Sequence, residues 1–179
     1  MLKATGLSYT YPSQDLPSAG PIDLLIPSCG LVVLTGPTGC GKSTLLRLLA
    51  GLLQRHGQGV TCGAVSLDGA TPSEWVPSVR ARSLGFVNQC PGDQIVAGTI
   101  HDELAFGLES AGATIGEVQR TVEAWIQRLG FVGDPKQSPH HLSGGEQQQL
   151  VIASAVAAGG TFLLLDEPLA QLDPPAATR

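Results

Sequence analysis

The chain has 179 residues, of which 42% are apolar and 14% are charged. This composition supplies enough apolar side chains for a packed core and excludes an intrinsically disordered chain. The formal net charge of −5 argues against nucleic acid as a partner, because phosphate recognition calls for a basic surface. No apolar run approaches the roughly eighteen residues that a transmembrane helix needs, and no secretory leader precedes the first predicted strand. A single cytosolic domain is therefore expected.

The first half of the chain is predicted to contain several strands and one helix. Residues 2–11 alternate apolar and polar side chains, as a half-buried strand does. The apolar run Leu31–Thr35 lies between two glycines and predicts a strand that is buried on both faces. Good helix formers, apolar on nearly every side, predict a buried helix over Thr44–Leu53. Two further strands are predicted at Val60–Leu67 and Leu84–Asn88.

The second half is predicted to be mainly helical. A helix is expected at Thr99–Glu109. An amphipathic helix begins with the capping box of Thr114 and Glu117 and ends at Gly130. We interpret the segment from about residue 90 to residue 141 as a helical insertion between two strand-bearing halves. A helix over residues 144–158 and a buried strand at Thr161–Leu165 follow.

Residues 36–43 match the pattern G-x-x-x-x-G-K-[ST], after a predicted buried strand and at the start of a predicted helix. In such a loop the glycines let successive backbone N–H groups face a phosphate chain. Lys42 would reach the β- and γ-phosphates, and Ser43 would offer its hydroxyl to Mg²⁺. An ordinary glycine-rich turn explains the glycines but not the Lys-Ser pair. The predicted nucleotide-binding loop comprises Gly36, Pro37, Thr38, Gly39, Cys40, Gly41, Lys42, Ser43 and Thr44, and such a loop alone allows a kinase, a GTPase or an ATPase.

An apolar strand that ends in two carboxylates supplies the second motif. In enzymes with a phosphate loop, an aspartate at a strand tip holds Mg²⁺, and we predict this role for Asp166. The adjacent Glu167 is placed to polarise the attacking water as a general base. A buried strand that ends in an acidic turn would account for Asp166 alone. A small-molecule kinase would more naturally lack the second carboxylate, so the pair favours an ATPase.

The third motif is Leu142-Ser143-Gly144-Gly145-Glu146. Ser143 and Glu146 form a predicted capping box, yet the two glycines between them cost roughly 1 kcal/mol each in a first helical turn. Glycines there indicate that another group approaches the backbone closely, and a helix N-terminus favours an anion. The Asp-Glu pair begins 23 residues after Ser143. In this order, the motif resembles the signature of ATP-binding cassette (ABC) ATPases.

The resemblance covers essentially the whole chain. It implies an α/β P-loop NTPase fold with a RecA-like parallel sheet core, an N-terminal antiparallel β subdomain and a helical insertion. It also implies that Tyr11 stacks on adenine and that the signature motif contacts ATP held by an opposite subunit, identical or paralogous. By this resemblance, the catalytic residues would be Glu167, Gln89 and Lys42. The Mg²⁺ ligands would be Ser43, Gln89 and Asp166. The opposite subunit would be contacted by the loop Ala170, Gln171, Leu172 and Asp173.

A narrower resemblance concerns Ser8–Pro12, Asn88–Gln94 and Asp102–Gly107, which look like the ATPase subunits of energy-coupling-factor importers. It implies an ATP-hydrolysing subunit that drives import of a metal ion or vitamin as a dimer. Such a subunit docks on an integral membrane transport subunit at the cytoplasmic face of the membrane. The sequence departs from the pattern at Cys90, where asparagine is usual, and at Gln149, where arginine is frequent.

Two alternatives remain open. One is a soluble ABC ATPase of DNA repair or translation, although the sustained heptads of a long coiled coil are missing. The other is a truncated cassette that binds ATP without efficient hydrolysis. In the family, another strand and a histidine that contacts the γ-phosphate follow the Asp-Glu pair, but no histidine follows Glu167 here. We therefore expect a cassette whose last core strands are missing and whose 179 residues are poorly stable and hydrolyse ATP weakly or not at all.

Overall fold

The computed structural model describes residues 1–55, 59–131 and 133–170. The chain divides into two compact units, one from Met1 to Trp75 and the other from Val76 onward. In the described part of the chain, no helix is long and apolar enough to cross a membrane.

The first unit is built on a three-stranded antiparallel sheet with strand order β2-β1-β3. The strands are β1 (Leu2–Thr10), β2 (Ala19–Ile26) and β3 (Val60–Leu67), so the predicted strands at both ends of this unit are confirmed. The register of β1 against β3 shifts between Thr5 and Ser8. Gly63 lies opposite this shift with a φ of 78°, and a side chain there would overlap the backbone of Gly6. This glycine therefore permits the irregular pairing.

The predicted helix over Thr44–Leu53 is divided in two. Helix α1 (Lys42–Leu49) buries Thr44, Leu45, Leu48 and Leu49, and the short α2 (Leu52–Arg55) follows. Gly51 separates them with a φ of 68°, and a Cβ at this position would lie 2.5 Å from the backbone nitrogen of Ser73. The chain therefore turns at Gly51, where only glycine fits against the neighbouring backbone.

The prediction of a buried strand at Leu31–Thr35 is wrong for this structure. These residues have no regular secondary structure, and Leu31 and Val33 are 87% and 70% exposed. A strand buried on both faces of a parallel sheet needs a paired strand beside it. Among the described residues, the strands form only the two sheets β2-β1-β3 and β4-β5, and neither includes this run.

The second unit contains a parallel pair of strands, β4 (Leu84–Val87) and β5 (Phe162–Leu165). Both confirm strands predicted from the sequence. The short helix α3 (Pro77–Ser83), which the residue pattern does not predict, leads directly into β4. Gly85 allows close packing here, because a Cβ at this position would lie 2.7 Å from the Leu163 side chain.

Three longer helices complete the second unit: α4 (Ile100–Ser110), α5 (Ile115–Leu129) and α6 (Gly144–Ala157). Their apolar faces form one core around residues that include Leu104, Val122 and Leu150, each fully buried. The capping box of Thr114 and Glu117 is present, and Gly130 ends α5 in the left-handed conformation with a φ of 61°. These three helix predictions are confirmed, whereas the division into one domain with an insertion at about residues 90–141 stays a prediction.

Candidate functional site

The predicted phosphate loop lies in the first unit, between the segment Leu31–Thr35, which has no regular secondary structure, and the first turn of α1. Gly39 and Gly41 adopt left-handed backbone conformations with φ of 82° and 92°. A side chain at Gly41 would overlap the carbonyl oxygen of Ser18, whereas a Cβ at Gly39 would meet no atom within 4 Å. The loop thus has the backbone geometry that turns N–H groups toward an anion, and it leaves open space beside Gly39.

The Lys42 side chain folds back over this loop. Its ammonium donates hydrogen bonds to the carbonyl oxygens of Gly36 at 2.9 Å and Pro37 at 3.0 Å. Both acceptors are neutral, and they hold the positive charge directly over the loop. An anionic phosphate would form a stronger, charge-assisted hydrogen bond with the same ammonium.

Tyr11 lies just after β1 and next to α1. Its hydroxyl is 3.4 Å from the Thr44 hydroxyl oxygen, and its ring makes an edge-to-face contact with Tyr9 at 4.8 Å between centroids. Tyr9 is buried whereas Tyr11 is half-buried. The Tyr11 ring is therefore held by Tyr9 and keeps part of its surface exposed, as a residue that stacks on a ligand must.

In the second unit, Asp166 and Glu167 follow β5 directly. The backbone N–H of Asp166 donates to the carbonyl of Val87 at 2.9 Å, which extends the parallel pairing by one step. The Asp166 side chain is 2% exposed, and within the described residues its Oδ2 has no hydrogen-bond partner. A buried carboxylate oxygen without a partner is costly unless a cation compensates it. Asp166 therefore fits the role of a Mg²⁺ ligand.

Gln89 and Glu167 are brought together by the two parallel strands. The Gln89 Nε2 donates a hydrogen bond to the Glu167 Oε2 at 2.8 Å, although the two residues are far apart in sequence. Both side chains are exposed, and Glu167 has the unusual backbone φ of 50°. Such a conformation in a residue other than glycine is strained, and strained residues often cluster at functional sites.

The signature motif forms the N-terminus of α6. Ser143 caps the helix: its hydroxyl oxygen accepts from the backbone N–H of Glu146 at 3.3 Å, and the Glu146 carboxylate accepts from the Ser143 backbone N–H at 2.8 Å. Ser143 and Gly144 are exposed, whereas Leu142 is buried. The predicted capping box is thus present, and the glycine turn beside it is open to a ligand.

Three polar residues near these motifs have contacts or burial that the sequence motifs do not predict. Gln94 and the buried Glu103 bond to backbone groups around Gln89. Gln148 is fully buried, and within the described residues both polar atoms of its amide lack hydrogen-bond partners. For Glu103 the signal was present, since a carboxylate lies next to Leu104 on the side of α4 that turns to the core. Of the loop predicted to contact an opposite subunit, Ala170 is described, and Gln171, Leu172 and Asp173 lie outside the described residues.

The comparison with protein families decides which family these motifs belong to. The family model described as ABC transporter matches residues 20–170, which include the phosphate loop, the signature motif and the Asp-Glu pair. The chain belongs to the ABC transporter family.

Curated relatives in this family include transporter ATP-binding subunits. The energy-coupling factor transporter ATP-binding protein EcfA1 of Thermotoga maritima is 38% identical over 82% of this chain and 53% of its own length. EcfA of Methanothermobacter thermautotrophicus is 33% identical over 99% of this chain and 56% of its own length. Across the curated relatives compared, the chain spans from 27% to 61% of the relative's length.

Solved structures agree on the fold. An ATP-binding cassette, solved as a dimer in a post-hydrolysis state with ADP and Pi, matches 99% of this chain and 78% of its own with a TM-score of 0.83 at 23% identity. The Clostridium perfringens protein cbiO1, part of the ABC transporter complex cbiONQ, matches 99% of this chain and 69% of its own with a TM-score of 0.77 at 26% identity. The predicted α/β P-loop NTPase fold of an ABC cassette is confirmed.

Proposed function

We propose that this chain binds and hydrolyses ATP as the ATPase part of an ABC importer that moves a micronutrient, a metal ion or a vitamin, across a membrane. The observation that carries the hydrolytic part is the Gln89–Glu167 hydrogen bond of 2.8 Å beside the buried, partly unpartnered carboxylate of Asp166. The importer part is supported by the names of the energy-coupling factor relatives and by the likeness to cbiO1.

ATP binding would use the phosphate loop and Tyr11. The backbone N–H groups from Gly39 to Ser43 would receive the β- and γ-phosphates, and Lys42 would leave its two carbonyl acceptors for a phosphate oxygen. The open side of the Tyr11 ring would stack on adenine. If the backbone N–H groups and Lys42 both bind the phosphates, the loop needs glycines to bring its backbone close to them and a lysine side chain that lies over it.

Hydrolysis would depend on Glu167 as the general base. Its carboxylate would take a proton from a water molecule while the water oxygen attacks the γ-phosphorus and the bond to the β-phosphate oxygen breaks. Gln89 would hold this carboxylate in place and help to orient the water. Mg²⁺, held by Ser43, Gln89 and Asp166, would supply positive charge for the transferring phosphoryl group. Lys42 would add further positive charge to the same group.

The working unit would be a dimer of ATPase subunits, identical or paralogous. Support comes from the exposed Ser143-Gly144 turn, which offers backbone N–H groups and the positive end of the α6 dipole to an anion. We propose that the signature motif contacts ATP bound to the opposite subunit and that the loop 170–173 contributes to the same interface. The ATP-binding cassette of the same fold that was solved with ADP and Pi has a dimeric structure.

The membrane partner would dock on the second unit. An open groove of about 220 Å³ lies between α3, β4, α4 and α6. Two of its lining residues, Val96 and Phe106, are 67% and 52% exposed, which gives this face apolar area for a helix from a membrane protein. The protein would then lie at the cytoplasmic face of the membrane as a peripheral subunit.

The central experiment measures phosphate release by the intact protein and by Glu167→Gln. This nearly isosteric change removes the base, so turnover is expected to fall roughly a hundredfold or more while ATP affinity is retained. The matched control is Glu109→Gln, which makes the same change at an exposed position on α4 and is expected to leave turnover unaltered. Equal turnover in Glu167→Gln and in the unmodified protein would contradict the assignment of the base.

Two further measurements separate the proposal from its alternatives. Light scattering is expected to find an ATP-dependent dimer in Glu167→Gln, because unhydrolysed ATP would hold the subunits together. Affinity purification from solubilised membranes is expected to recover an integral membrane protein. ATPase activity without such a partner would favour a soluble ABC ATPase, and ATP binding without phosphate release would favour a cassette that does not hydrolyse ATP efficiently.

A further inference from the structure

The segment Asn88–Ala97, which we call the Gln89 loop, is fixed to its surroundings at both ends by side chains. At its beginning, Gln94 accepts a hydrogen bond from the Asn88 backbone N–H at 2.9 Å through its Oε1. The Nε2 of the same side chain donates to the carbonyl of Phe86 at 2.8 Å. Gln94 thus closes the loop back onto the end of β4, on either side of Val87.

At its other end, the Gln89 loop is held by Glu103 of α4. One carboxylate oxygen, Oε2, accepts from the backbone N–H groups of Val96 at 3.0 Å and Ala97 at 2.9 Å. Glu103 is 4% exposed and the two bonds are part-buried, so water competes with them less than it would on an open surface. The backbone of Glu103 is in turn held by α6, because the Ser154 hydroxyl donates to its carbonyl at 2.9 Å.

We propose that Gln94 and Glu103 are positioning residues that hold Gln89 in reach of Glu167. The inference rests on the proposed ATP hydrolysis and goes beyond it, since neither side chain belongs to the phosphate loop, the signature motif or the Asp-Glu pair. Gln89 and Glu167 are exposed, so their single hydrogen bond competes with water and with the rotational freedom of both side chains. A fixed backbone at residue 89 raises the fraction of time in which the bond forms.

Of the two positioning residues, Glu103 also connects the Gln89 loop to two helices. Glu103 belongs to α4 and is bonded to α6 through Ser154, and α6 begins with the signature motif. A shift of α4 relative to β5 would therefore move the Gln89 loop through Glu103, because its carboxylate is hydrogen-bonded to the adjacent backbone N–H groups of Val96 and Ala97. The alternative is a purely structural role, in which Glu103 only accepts from the N–H groups of Val96 and Ala97 and stabilises the fold.

The experiment is a double-mutant cycle in the intact protein. Glu103→Met removes the acceptor at nearly constant volume, and Glu103→Gln is the conservative control, because an amide oxygen can still accept from both N–H groups. Gln94→Met removes both bonds at the other end of the loop. Each variant is made with Gln89 present and in the Gln89→Ala background. The readouts are kcat, ATP affinity and backbone hydrogen exchange over residues 88–97, all measured well below the unfolding temperature of every variant.

Positioning predicts a specific pattern. Glu103→Met and Gln94→Met are expected to lower kcat roughly ten- to a hundredfold, with ATP affinity unchanged, while Glu103→Gln keeps most of the activity. In the Gln89→Ala background the same changes are expected to lower kcat little further. If Glu103→Met does not fold, the Gln94→Met cycle carries the same test.

Two results would overturn the proposal: an equal fall of kcat with and without Gln89, or unaltered hydrogen exchange at Val96 and Ala97 in Glu103→Met. The proposed function fails separately, if the unmodified protein releases no phosphate. In that case hydrogen exchange alone still decides whether Glu103 and Gln94 hold the loop.

Discussion

At the scale of single residues, Lys42 places a positive charge at the phosphate loop, where an anionic ligand would bind. The ammonium is bonded to two neutral carbonyl oxygens at 2.9 and 3.0 Å, so no carboxylate neutralises it in these contacts. Hydrogen bonds between charged and neutral groups are weaker than those between opposite charges. Exchange of the carbonyls for a phosphate is therefore favourable, and it leaves the backbone of the loop in place.

Lys42→Ala tests this interpretation. The change deletes the charge that would face the β- and γ-phosphates, and we expect the Kd for MgATP to rise roughly tenfold or more. Equilibrium titration with a fluorescent ATP analogue measures it. Lys136→Ala, which removes the same charge from an exposed position in the second unit, is the control and is expected to bind normally. Unchanged affinity in Lys42→Ala would show that the loop is not the ATP site.

The residues with chemical roles differ in how well a sequence reveals them. Lys42, Asp166 and Glu167 stand in fixed spacings next to strands and helices, and their local geometry follows from those elements. Gln94 and Glu103 act on backbone groups instead, and any hydrogen-bonding side chain in the right place could do so. Their roles depend on the packing of α4 on α6 and of α6 on β4, which the residue pattern alone does not specify.

At the scale of elements, the capping box of α5 gives a pH-dependent contribution to stability. Hydrogen bonds from the Thr114 hydroxyl and then from its backbone N–H lower the pKa of Glu117 below its usual value. The folded protein therefore binds this proton less readily than the unfolded chain does. The stabilisation is complete above the pKa of an unfolded glutamate, about 4.3, and is lost as the pH falls through the lower folded value.

The substitution Glu117→Gln tests the direction of this pKa shift. The variant should be less stable than the unmodified protein at pH 7, and the difference in free energy of unfolding should shrink below about pH 4.3. Urea unfolding followed by circular dichroism at several pH values measures both. Glu123→Gln, an exposed position in the middle of the same helix, serves as control because it is not part of the capping box. A difference that stays constant from pH 7 to pH 3 would argue against the assigned sign.

Elements also show where sequence patterns succeed and where they fail. The bounds of α5 and α6 follow from capping residues within each segment, and β5 follows from the short apolar run that ends at the Asp-Glu pair. The division of α1 from α2 depends on the approach of Ser73 to Gly51, a contact between distant parts of the sequence. The failed strand at Leu31–Thr35 has the same cause, because a parallel strand forms only where a distant segment pairs with it.

At the scale of the whole molecule, the run Leu31–Leu34 places four consecutive apolar side chains on the surface of the described part of the chain. All four residues are exposed, between 41% and 87%, and the stretch Leu31–Thr35 contains neither charge nor proline. Uncharged segments of β-branched and other apolar residues pair readily with a second copy of themselves. The 179-residue chain is therefore expected to self-associate through this run at micromolar concentration.

Val33→Lys in the 179-residue chain tests that expectation. A charge in the middle of the run opposes intermolecular pairing, so the variant should elute closer to the monomer position in size-exclusion chromatography and scatter less light on standing. Leu16→Lys is the matched control: Leu16 is 77% exposed and Val33 is 70% exposed, but Leu16 lies in a turn rich in proline and serine that is a poor template for pairing. Equal association of both variants and the unmodified chain would mean that another surface drives it. A monomeric unmodified chain would mean that the run is covered in solution.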